Sequence, residues 1–152
     1  MNFHTIRLHG PWNAKVRDFF SPSATASPEA IPAECRQTIP SDWSQWLGDS
    51  FRGVVDYRRN FNRPTRLSEN QKVWLVVEEA DFLANVTLND KPIGSRRLGD
   101  LPLRVEVGSL LESSNQLLVS IELPFDVDRD ARTTLAGGLI GSVRLEIEEP
   151  SS

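Results

Sequence analysis

The chain has 152 residues and a net charge of −4, a size at which about two thirds of the unfolded chain's surface can be buried in one core. Ordinary hydrophobic and charged contents place it among globular proteins, and the small negative charge leaves no basic footprint for a phosphate backbone, so nucleic acid is excluded as an expected partner. A lone cysteine, Cys35, has no second thiol for a disulfide or a CxxC motif and only His4 and His9 as potential bases, so it reads as a bland thiol.

Apolar residues recur at every second position along most of the chain, the period of a half-buried strand. Residues 1–12 lack a basic region followed by an apolar stretch, and no run reaches membrane-spanning length, so no membrane partner and a cytoplasmic location are expected. Ile6 and Leu8 alternate with Arg7 and His9 as a first strand. Residues 21–40, with Pro22, Pro28, Pro32 and Pro40 among serines and alanines, read as a long irregular loop inside the domain. Val55, Tyr57 and Phe61 alternate in the next run, and Val73–Val77 is apolar on both faces, as expected of a strand in the middle of a sheet.

Ala84, Val86 and Leu88 share the next inward face, followed by breakers at Asn89-Asp90, Pro92 and Gly94. Leu103, Val105 and Val107 form another alternating run after the Gly99 to Pro102 break, and residues 109–113 offer at most one turn of helix. Leu117, Val119, Ile121 and Leu123, then Val143, Leu145 and Ile147, complete the pattern on either side of a long connection over residues 126–138. Short strands and frequent turns without an amphipathic helix predict an all-β antiparallel sandwich. A single domain over residues 1–149 with a tail at 150–152 is expected.

Three groups of charged residues invite a functional reading. Glu78 and Glu79 are adjacent on a strand and point to opposite faces, so they cannot form the facing carboxyl pair of a glycosidase. Strict alternation from Val55 through Tyr57 to Phe61 puts Arg59 on the apolar face, where an unpaired charge is too costly. Either a bulge turns it outward or it meets a carboxylate, with Asp81 or Glu79 as the expected partner. Asp126, Asp128 and Asp130 have the spacing that begins a calcium loop, but Ala131 and Gly137 stand where such a loop needs glycine and glutamate. A solvated loop is expected there, with no metal and no cofactor.

The order of landmarks resembles the N-terminal jelly-roll domain of glycoside hydrolase family 2. The residues that carry the resemblance are Pro40-Ser41-Asp42-Trp43 with Leu47-Gly48; GVVDYRRNF over 53–61; VWLVVEEADFLANVTLND over 73–90; Gly94, Leu101-Pro102 and Asn115-x-Leu-x-Val119; and GLIGSVRL over 138–145. Leu8-His9-Gly10-Pro11-Trp12 is similar to the family's first strand. The Asn89-Asp90 pair departs from the commoner Asn-Gly, which weakens the expectation of a type I′ turn.

This resemblance implies a galactose-binding-domain-like sandwich without the catalytic glutamates, which in the family belong to a separate barrel. It implies a non-catalytic carbohydrate-binding module whose partner is a sugar or a glycoside hydrolase; a protein-interaction or scaffold sandwich is the alternative, since fold does not fix function. The family's loop before the Leu-Pro strand supplies an aspartate to the sugar subsite, which points to Asp100, with Arg96 and Arg97 in the same loop. Trp43 and Trp46 flank a turn and read either as core or as stacking platforms for a sugar ring.

Overall fold

The computed structural model describes residues 3–20, 34–47, 51–68, 70–124 and 137–149. Two antiparallel sheets enclose the core. One has four strands in the order β1-β10-β5-β8, where β1 is Phe3–Arg7, β5 Val73–Val77, β8 Leu103–Glu106 and β10 Val143–Glu148. The other has six in the order β3-β2-β4-β9-β6-β7, where β2 is Trp12–Phe19, β3 Glu34–Gln37, β4 Gly53–Asn62, β6 Leu83–Leu88, β7 Lys91–Arg97 and β9 Ser114–Leu123. One helical turn, α1 (Ser44–Leu47), precedes β4.

The alternation predicts the interior well. Leu117, Val119, Ile121 and Leu123 of β9 and Val143, Leu145 and Ile147 of β10 are buried and belong to one cluster with Val55 and Tyr57. Strand β5 lies inside its sheet, between β10 and β8. Its outer side is covered in an unexpected way, by charged side chains rather than another layer. The Arg104 guanidinium lies 3.9 Å from the centre of the Trp74 ring and 5.2 Å from that of Phe3, while Val76, 1% exposed, sits between its cross-strand neighbours Arg104 and Arg144. Arginine stems can cover apolar surface while their charged ends stay wet.

Those ends are tied by carboxylates. Glu146 accepts from Arg104 Nε at 3.2 Å and from Arg144 Nε at 3.0 Å, and Arg144 Nη1 donates to Glu78 at 2.6 Å. Burial acts most strongly on the Glu146 carboxyl and raises its pKa, but the hydrogen bonds and charges of Arg144 and Arg104 together outweigh it and hold the group below 4.5. A carboxyl with a depressed folded pKa stabilises the fold above its unfolded value, and that contribution is lost as pH falls through the folded one. Acid titration of stability is therefore expected to show a loss starting near pH 4.5, and Glu146→Gln is expected to flatten that limb. Urea denaturation from pH 7 to pH 3 measures it.

Three sequence expectations change. Residues 34–37, assigned to the proline-rich loop, form the edge strand β3 and pair with β2 through Trp12↔Gln37 and Lys15↔Glu34; residues 21–33 lie outside the described segments. The helical turn anticipated at 109–113 is a 3-10 turn over Gly108–Leu110. Asn89 and Asp90 both take positive φ, 51° and 66°, joining Leu88 to Lys91 with the φ signs of a type I′ turn. Asparagine and aspartate tolerate this region, and Asn89 is further fixed: its Nδ2 donates to Asn115 Oδ1 at 2.9 Å and its Oδ1 accepts the Gln116 amide at 2.9 Å.

Candidate functional site

Strand register gathers several loops at one end of the sandwich. Gly53 of β4 pairs with Leu123 of β9, Leu83 of β6 pairs with Glu122, and Leu83 also pairs with Arg97 of β7. The loops before β4 and β6 and after β7 therefore emerge together. Trp43 joins them by packing edge-on against Phe51, with ring centres 5.1 Å apart.

The segment 137–142 is stitched into this end. Gly137 donates to Asp42 Oδ1 and accepts from the Trp43 amide, each at 3.0 Å; Gly138 accepts from the Asp81 amide at 2.9 Å; Gly141 donates to the Glu79 carbonyl at 2.8 Å. Glycine is required by contact as well as conformation. A Cβ at Gly137 would lie 2.0 Å from Trp43 Nε1, and one at Gly138, where φ is +83°, would lie 2.3 Å from the Tyr57 hydroxyl. Burial pushes the Tyr57 phenol well above its ordinary pKa, with the Asp81 and Asp42 carboxylates acting in the same direction. A phenol so placed stays protonated and serves packing, not proton transfer.

On this base stands the loop at 97–102. Asp100 closes it by accepting the Arg97 amide on Oδ2 at 2.8 Å and donating its own amide to the Arg97 carbonyl at 3.0 Å. Gly99, at φ +88°, provides the turn, and the Leu98 amide reaches the Phe82 carbonyl at 2.9 Å. Beneath it lies Arg96, 3% exposed, whose guanidinium bonds the Glu79 carboxylate and the carbonyls of Glu78, Arg97 and Asp100. Sequence reasoning grouped Arg96 with Arg97 as loop cations. The structure separates them: Arg96 pairs with buried Ala84 and turns inward, while Arg97 is exposed.

The loop's upper surface carries Arg97 and Asp100, both exposed, with Leu98 at 38% and Leu101 at 87% exposure. The tryptophans do not join them as platforms. Trp43 is 2% exposed, walled in by Phe51 and the two glycines, and Trp46 is half-buried against the core. A buried ring offers no face to a sugar.

The expected Arg59–Asp81 pair does not form. Alternation is kept through β4, but Arg59 lies toward the far end of that strand, half-buried, and its Nη1 donates to the Asn60 carbonyl at 3.0 Å. Asp81, fully buried at the opposite end, accepts the Phe82 amide at 2.9 Å. Glu79, the other expected partner, belongs to Arg96. Asp126, Asp128 and Asp130 lie outside the described residues, among which no cluster of three metal-ligating side chains occurs. No helix among the described residues is long and apolar enough to cross a membrane.

Several solved structures with the same architecture are glycosidases. The FMN-binding β-glucuronidase of Facaelibacterium prausnitzii L2-6 superposes with a TM-score of 0.73 at 20% identity over 95% of this chain and 22% of its own. The Bifidobacterium dentium β-glucuronidase complexed with coumarin-3-O-glucuronide gives 0.73 at 22% identity over 95% and 30%. A rhamnosidase from Novosphingobium sp. PP1Y gives 0.70 at 20% identity over 97% and 15%. The chain thus spans less than a third of these enzymes, and at such identities the likeness is one of fold. No curated protein matches it. The family profile described as glycosyl hydrolase 2 galactose-binding domain-like matches residues 42–147, from the Trp43 turn through β10, and the chain belongs to that family.

Proposed function

We propose that this chain is a non-catalytic carbohydrate-recognition module that works beside a glycoside hydrolase, presenting the Asp100 carboxylate and the Arg97 guanidinium to a sugar. The observation that carries this reading is the construction of the 97–102 loop: a buried arginine fixes its carbonyls from below while its charged side chains stand in solvent. Preorganised polar groups lose little entropy when they engage hydroxyls. A hydrolytic role finds little support, since Glu78 and Glu79 are engaged by Arg144 and Arg96 respectively. Similarity to β-glucuronidases, one of them complexed with a glucuronide, makes uronides the first sugars to try, with Arg97 as the cation beside them.

The burial of Trp43 and the exposure of Leu98 and Leu101 favour a second reading, in which the loop docks against another protein surface. Calorimetric titration of the 152-residue chain with glucuronate, galactose and mannose oligosaccharides separates the two. Asp100→Asn is expected to weaken sugar binding about tenfold, the scale of one charge-assisted hydrogen bond, while Leu101→Ser leaves it unchanged. Absence of binding to every oligosaccharide would discard the carbohydrate reading.

A further inference from the structure

Across β3, β2 and β4 the register aligns Arg36, Asn13 and Arg58 in one row. Their neighbours Trp12, Ala14 and Tyr57 are fully buried, so this row faces solvent on the outer side of the six-stranded sheet. A short asparagine between two long arginines leaves a hollow. It is a cavity of about 320 Å³, lined also by Pro11, Trp12, Arg59 and Asn60, and among the described residues no carboxylate lines it.

Arg36 and Arg58 share this outer face and Arg59 also lines the cavity, a concentration of arginines that is unusual in a chain whose acids outnumber its bases, 21 to 17. Like charges confined together repel, and the repulsion is relieved by a counter-charge. Asp56 lies 3.7 Å from Arg58 Nη2, but it is shared: Arg17 Nε binds it at 3.1 Å and the Ser120 hydroxyl at 2.7 Å. Among the described residues, neither Arg36 nor Arg59 forms an ion pair. Arg59 donates from Nη1 to a carbonyl, while its Nε–H is buried without an acceptor.

We propose that this cavity binds the oxyanion of an acidic sugar, a carboxylate or an ester sulfate. Guanidinium groups offer paired N–H donors that match two oxygens of such a group. The Asn13 and Asn60 amides flank them and suit neighbouring hydroxyls, and the volume falls at the lower end of that of small-ligand pockets. The site is separate from the 97–102 loop, because β9 and β6 stand between β4 and β7.

The test is isothermal titration of the 152-residue chain at low salt with glucuronate, galactose 6-sulfate, inorganic sulfate and glucose. One or both acidic sugars are expected to bind, glucose is not, and added sodium chloride is expected to weaken the complex. The double variant Arg36→Ala/Arg58→Ala is expected to lower the affinity about tenfold or more, since it removes two charge-assisted contacts. Both residues are at the surface, so an unchanged thermal melt shows the fold intact. Loss in Asp100→Asn with full retention in the double variant would assign the acidic sugar to the 97–102 loop instead. The proposal is overturned by that result, by inorganic sulfate binding without either acidic sugar, or by no binding at all.

Discussion

Gly138→Ala is expected to lower the unfolding free energy by about 3 kcal/mol, from overpacking and backbone strain acting together. The new Cβ would stand 2.3 Å from the Tyr57 hydroxyl and 3.1 Å from Trp43 Cε3, and neither ring can move aside because both are buried, Trp43 also being held by Phe51. At φ +83° the alanine also meets its own backbone. For a domain of this size the melting temperature should fall by roughly 6–12 °C. Gly99→Ala separates the two causes, because Gly99 has φ +88° but nothing within 4 Å of its would-be Cβ; it is expected to cost only about 1 kcal/mol. Equal losses in the two variants, measured by urea denaturation, would show that backbone strain alone sets the effect and that the Tyr57–Trp43 contact yields freely.

The same glycine shows what a sequence can and cannot say. GLIGSVRL is visible as a landmark, yet its need for glycine comes from Tyr57 and Trp43, which lie far away in the chain and meet it only after β4, α1 and β10 have packed. Period-two alternation is local, so β9 and β10 were legible residue by residue. Glu34–Gln37 was not, because a four-residue edge strand is created by its partner β2 and its own composition carries no apolar face. Trp43 offered two readings, and burial against Phe51 and Gly137 decides for the core.

Arg59 and Arg96 are the most instructive pair. Both follow an alternation that points them inward, and an inward arginine must find acceptors. Where it finds them depends on position along the strand and on what the neighbouring loops offer, neither of which is written locally. Arg59 stays half-buried toward the far end of its strand and donates to a carbonyl next to it in sequence. Arg96 meets Glu79 and three carbonyls converging from two loops. The alternation pointed to Arg59, with Asp81 or Glu79 as its expected partner, whereas the arginine that meets Glu79 is Arg96, which the sequence reading placed in a loop beside Arg97.

Arg96→Met is expected to cost about 3 kcal/mol, the scale of a broken buried ion pair with stranded acceptors. Methionine fills much of the stem's volume, so the loss reports the polar end. The Glu79 carboxylate, with 35% of its side chain exposed, can rehydrate and contributes the smaller part. The carbonyls of Glu78, Arg97 and Asp100 lose their shared donor, and the larger part is theirs. Arg96→Lys keeps the charge but not the planar fork, and should recover less than half of the loss. Glu79→Gln, which keeps an acceptor, should cost well under half of what Arg96→Met costs. Urea denaturation gives these energies, and amide hydrogen exchange at Leu98 and Asp100 reports on the loop itself, where Arg96→Met should speed exchange and Glu79→Gln should not. Because Asp100 is held by the turn that Arg96 supports, the sugar binding proposed for the 97–102 loop should weaken in Arg96→Met as is expected of Asp100→Asn, although Arg96 itself is out of a ligand's reach. Wild-type stability and exchange in Arg96→Met would mean that water serves those carbonyls equally well, and the loop would then owe its shape to Asp100 and Gly99 alone.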